Sequence, residues 1–81
     1  MREVLKFYAD WCGPCKMLSS TLQKVEGNDI PIREVDIDTE FDVAAKYNIR
    51  SVPTMVMLEN GTEIKRVSGS IPLDKVKEFL S

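Results

Sequence analysis

The tightest constraint on this chain is the run Trp11-Cys12-Gly13-Pro14-Cys15, which holds its only two cysteines. The apolar run Val4-Leu5-Lys6-Phe7-Tyr8 stands before it, and a stretch of helical period begins within it. The chain is therefore expected to pass from a strand into a helix at the cysteines. The first sulfur can then sit at the helix N-terminus, where free backbone N–H groups and the positive end of the macrodipole favour a thiolate. The second sulfur lies three residues on, on the same helical face and within reach of the first. Such a junction is a place to make and break a disulfide.

The rest of the composition narrows the chemistry. With no histidine in the sequence, histidine-assisted cysteine or serine catalysis is excluded, as is the commonest metal ligand. Two cysteines cannot close a four-cysteine zinc site within one chain, which leaves only a half-site shared between two chains. A purely structural disulfide here would close a very short loop, and short loops gain least from cross-linking. Reversible redox chemistry is the reading that remains, with no metal and no bound cofactor. The formal net charge of −2 offers no basic stripe for nucleic acid and no polybasic membrane patch. No apolar run approaches the roughly 20 residues of a membrane span.

The 81 residues are expected to form a single domain, 1–81, with one modest core. The N-terminus enters a strand pattern at once and leaves no room for a secretory signal. A complete chain of this kind is expected in the cytoplasm, where thiols are kept reduced, and as a monomer. A mature secreted form whose signal had been removed would look the same.

Periodicity and turn signals predict the elements. Glu3 to Tyr8 is a strand, apolar at nearly every position, as a central strand buried on both faces should be. Pro14 to about Glu26 is a helix with Leu18, Leu22 and Val25 on one stripe, ended by Gly27-Asn28-Asp29. Ile32 to Asp36 is a strand. Thr39 is expected to cap a short helix with Val43, Ala44 and Tyr47 inward. Thr54–Leu58 and Glu63–Val67 are strands, joined by Asn60-Gly61 in a type I′ turn. Pro72 to Leu80 is a last helix that buries Val76, Phe79 and Leu80. The order is β-α-β-α-β-β-α. A right-handed crossover makes the first two strands parallel, and the hairpin adds antiparallel ones. The fold class is α/β, a mixed four-stranded sheet with helices on both faces. Met17, Met55 and Met57 are expected in the core.

At this point the chain resembles a thioredoxin. The resemblance runs from Phe7-Tyr8-Ala9-Asp10-Trp11-Cys12-Gly13-Pro14-Cys15-Lys16-Met17 through Val35-Asp36-Ile37-Asp38, Val52-Pro53-Thr54, Asn60-Gly61 and Gly69 to Val76-Lys77-Glu78-Phe79-Leu80. It starts at the family's first core strand, so the implied fold is a minimal thioredoxin fold without the usual N-terminal strand and helix. The resemblance implies that Cys12 is the nucleophile, that Cys15 is the resolving thiol, and that the pair forms a redox-active disulfide. Pro53 resembles the family's cis-proline, which would present the Val52 backbone to an extended substrate. Trp11, Gly13, Pro14, Val52 and Gly69 would complete a flat, mostly apolar rim. The implied activity is that of a protein-disulfide reductase acting on protein disulfides and recharged by a partner, an NADPH-dependent thioredoxin reductase. Competing readings are a glutathione-coupled, glutaredoxin-like protein, which the Gly-Pro dipeptide disfavours, an oxidase or isomerase if the chain is exported, and a redox-independent binding subunit.

Lys6 and Tyr8 depart from the family. Thioredoxins usually carry a buried aspartate six residues before the first cysteine, and here Lys6 stands there, with Glu34 on the next strand. A neutral Lys6 would be a proton acceptor. A charged Lys6 would instead stabilise a thiolate on Cys15, and one that reached solvent would do neither. Tyr8 replaces the usual tryptophan four residues before Cys12, a milder change.

Overall fold

The computed structural model describes all residues from Met1 to Ser81. Its elements are β1 (Arg2–Tyr8), α1 (Gly13–Leu22), β2 (Ile32–Asp36), α2 (Phe41–Lys46), β3 (Thr54–Glu59), β4 (Thr62–Ser68) and α3 (Leu73–Leu80). The strands form one sheet in the order β2-β1-β3-β4. β1 runs parallel to β2 and antiparallel to β3, and β4 is antiparallel to β3. This is the mixed sheet that the element order predicts.

Side-chain alternation on the two central strands divides the core. Val4, Met55 and Met57 face α1 and α3, where they join Leu18, Val76, Phe79 and Leu80. Leu5, Phe7, Val56 and Leu58 face the other way, where Val35 joins them and Val43, Ala44 and Tyr47 of the α2 region pack on top. The end of β1 and the start of β3 therefore lie between two packed layers.

Asn60 and Gly61 both have positive φ, 52° and 85°, between the paired Glu59 and Thr62. A type I′ turn needs that backbone at both central residues, so the hairpin forms where the sequence places it. No helix is long and apolar enough to cross a membrane.

Three local expectations are corrected. α1 stops at Leu22, not near Glu26. Thr21 Oγ1 donates to the Met17 carbonyl, and the following amides bond three residues back, Lys24 to Thr21 and Val25 to Leu22. The last turn tightens and the helix does not continue. Val25 still packs on the core from the loop. The residue that caps α2 is Glu40 rather than Thr39, with no side-chain capping bond. The turn there belongs to Asp36, whose carboxylate accepts from the Asp38 N–H and whose carbonyl accepts from the amides of Thr39 and Glu40. Met17 is 63% exposed, not core, because it lies off the Cys15–Leu18–Leu22 stripe of α1.

Candidate active site

β1, paired on both sides, delivers the chain to the site, and the turn after Tyr8 leads it into α1. Cys12 is the N-cap of α1, in extended conformation, and its Sγ accepts a hydrogen bond from the Cys15 N–H at 3.1 Å. Pro14 occupies the first turn, where its missing N–H leaves nothing unsatisfied. The two sulfurs are joined as a disulfide, with the Cα atoms 5.3 Å apart. The strand-to-helix junction thus places both cysteines as the spacing requires.

Both cysteines are buried, Cys12 at 4% and Cys15 at 3% exposed. Exposure therefore does not distinguish the two in this oxidised state. Ala9 forms one buried cluster with the pair, and Tyr8, Ile37 and Val52 pack against it. What separates the two sulfurs is electrostatic position: Cys12 receives an amide donor at the helix end.

The Val52–Pro53 peptide bond is cis. The Val52 carbonyl oxygen lies 3.7 Å from Cys12 Sγ, and Pro53 itself is buried. The Gly69 N–H donates to the Pro53 carbonyl at 2.8 Å, which ties the turn after β4 to this loop. Gly69 has φ 93°, a backbone region that favours glycine. Trp11 is 70% exposed, which removes it from the core, and its Nε1 donates to Asp38 Oδ2 at 3.0 Å. Gly13 and Pro14 are exposed beside it. The structure therefore brings Trp11, Gly13, Pro14, Val52, Pro53 and Gly69 to the end of the molecule that holds the cysteines.

Lys6 and Glu34 lie below this surface on paired positions of β1 and β2. Lys6 is buried, and its Nζ donates to Ser19 Oγ and to Glu34 Oε1, the latter at 3.3 Å. Lys6 therefore does not reach open solvent. The Tyr8 phenol is pushed above its ordinary value, first by burial and then by the carboxylates of Asp36, Asp10, Glu34 and Glu40.

Sequence reasoning missed Asp38 and Ser19 as partners. Asp38 was legible in principle, because parallel pairing of Tyr8 with Asp36 puts the next turns side by side. Ser19 lies four residues after Cys15, on the helix face that looks down on Lys6.

The thioredoxin family profile matches residues 2–81. The chain belongs to the thioredoxin family. A thioredoxin of Mycoplasma genitalium is 45% identical over 80 residues, spanning 96% of this chain and 78% of that protein. A mutant thioredoxin from Halobacterium salinarum superposes with a TM-score of 0.89 at 34% identity, over 98% of this chain and 71% of that one. Fasciola hepatica thioredoxin gives a TM-score of 0.88 at 32% identity, over 98% and 77% respectively. A bifunctional thioredoxin reductase/thioredoxin of Mycobacterium leprae is 33% identical over 70 residues, 83% of this chain and 15% of that protein. Family and disulfide-bonded pair together make this chain a thiol–disulfide oxidoreductase, a protein-disulfide reductase that works by dithiol–disulfide exchange at Cys12 and Cys15.

Proposed function

We propose that this protein acts as one domain, a cytoplasmic monomer spanning residues 1–81, with Cys12 as nucleophile and Cys15 as resolving thiol. The observation that carries the assignment of roles is the Cys15 N–H donated to Cys12 Sγ at the N-cap of α1. An amide donor and a helix N-terminus both favour a negative sulfur, and the thiolate is the species that attacks.

The exchange runs in two steps. The Cys12 thiolate attacks one sulfur of a substrate disulfide, forming a mixed disulfide and expelling the other substrate sulfur as a thiolate. Cys15 then loses its proton and attacks Cys12 Sγ. The Cys12–Cys15 bond forms, the second substrate sulfur leaves, and the released thiolates take up protons. Two electrons pass from the protein to the substrate. The second step is intramolecular, which raises its effective concentration.

Trp11, Gly13, Pro14, Val52, Pro53 and Gly69 form the docking surface, with the Val52 backbone pairing an extended substrate strand beside Cys12. An NADPH-dependent thioredoxin reductase returns the pair to the dithiol. The fusion of the two functions in the Mycobacterium leprae relative supports that partnership.

Reduction of insulin by dithiothreitol tests the assignment. Cys12→Ser should abolish turnover, and Cys15→Ser should accumulate the mixed disulfide, because attack remains and resolution is lost. Substantial turnover by Cys12→Ser would overturn it.

A further inference from the structure

Lys6 is the only charged side chain that the fold buries, at 2% exposed in the middle of β1. A buried ammonium is costly without hydrogen-bond acceptors and a counter-charge. Its Nζ finds both, in Ser19 of α1 and Glu34 of β2. The ammonium also lies 5.8 Å from the centre of the Tyr8 ring. The β3 residue in register with Lys6 is Met55, which brings no charge. Gln23 lines the same groove and is neutral.

Two contacts carry this group toward the cysteines. Ser19 is four residues beyond Cys15, about 6 Å along the same face of α1. Tyr8, which faces the ammonium, packs against the cluster of Ala9, Cys12 and Cys15. The ion pair is also lopsided. The Lys6 side chain is 3% exposed and the Glu34 side chain 61%. Water screens the carboxylate, whereas the field of the ammonium crosses protein interior beneath α1. Of this pair, the ammonium therefore contributes more at the sulfurs than the carboxylate does.

We propose that Lys6 is a positioning residue, held by Ser19 and moderated by Glu34, that places a positive charge under α1 and makes the Cys12–Cys15 disulfide easier to reduce. The proposal rests on the exchange reading above. An external dithiol gives two electrons to the Cys12–Cys15 bond, and its own sulfurs become joined. The protein's sulfurs are left as one thiol and one thiolate with a proton released, or as two thiols at lower pH. The disulfide is neutral and gains little from the ammonium, whereas the thiolate gains. The charge therefore shifts the equilibrium toward the reduced pair.

The test equilibrates wild type, Lys6→Met and Glu34→Gln with graded mixtures of reduced and oxidised dithiothreitol at pH 7, and reads the fraction reduced by alkylation gel shift. Lys6→Met leaves only the exposed Glu34 without its partner, so it strands no buried charge. It should move the equilibrium toward the disulfide on the order of tenfold, about 30 mV more negative. Glu34→Gln keeps an acceptor for Nζ, removes the moderating charge, and should move the equilibrium a few-fold the opposite way. If Lys6→Met fails to fold, Glu34→Gln decides by its sign. Variants that leave a normal wild-type equilibrium unmoved, or that move it in the same direction, overturn this proposal alone. A wild-type protein that never equilibrates with the buffer overturns the exchange reading, and this proposal with it.

Discussion

The Cys15 N–H points at Cys12 Sγ from 3.1 Å, so the backbone of one redox cysteine is the hydrogen-bond donor to the sulfur of the other. The two are equally buried in the disulfide, and this bond, rather than exposure, distinguishes them.

The first prediction follows from that bond. In the reduced protein Cys12 should be alkylated first, because the donor and the helix N-terminus favour its thiolate. A short pulse of iodoacetamide followed by peptide mass mapping checks it. Faster labelling of Cys15 would reverse the assigned roles.

Trp11 is exposed and anchored by Asp38, so its indole is available to a partner while contributing little to the core. Trp11→Ala should raise KM for insulin several-fold while changing the urea midpoint little, since exposed substitutions typically cost within about 0.5 kcal/mol. Unchanged kinetics, or a large loss of stability, would contradict this role.

Leu18 is 1% exposed on α1 and packs among Val4, Met55, Met57 and Val76. Leu18→Ala in the oxidised protein should cost about 2–5 kcal/mol, a large share of the roughly 5–15 kcal/mol available to a domain. Urea unfolding at constant slope measures it. A loss below about 1 kcal/mol would mean that this face is not the main core.

Arg66 donates to Glu63 through Nε at 2.6 Å and through a second guanidinium nitrogen at 2.7 Å. This bond is the largest cause that holds the Glu63 carboxyl below its ordinary value, against a smaller opposing effect of burial. A folded value below the unfolded one means that the stabilisation is present above about pH 4.5 and is lost as pH falls through the folded value. The pair lies near the surface, so its worth is small, about 0.2–1 kcal/mol. Glu63→Gln should lower stability by that amount at pH 7 and by nothing near pH 2, as read by urea midpoints at the two pH values.

The order of elements, the mixed sheet and the cysteine junction were legible because each rests on a local signal. These signals are an apolar run at Val4–Tyr8, Pro14 in a first helical turn, and Asn60-Gly61 between two strands. The end of α1 was not legible, since the Leu22–Val25 stripe continues while Thr21 turns its hydroxyl onto the Met17 carbonyl. Met17 was misplaced for a related reason. Methionine suits a core, but the helix turns this one 100° per residue away from the buried stripe. Pattern alone left three fates open for Lys6, and only the tertiary contacts with Ser19 and Glu34 separate burial from escape to solvent.

The reduction potential of the Cys12–Cys15 pair, measured against a glutathione or dithiothreitol buffer at pH 7, tests the central claim most directly. A protein-disulfide reductase is predicted to lie at about −270 mV or, with Lys6 favouring the reduced pair, a few tens of mV above it, still well below the roughly −120 mV of a strong disulfide-forming oxidant. A value near the latter would contradict the account, because such a pair would make disulfides in its partners instead of breaking them.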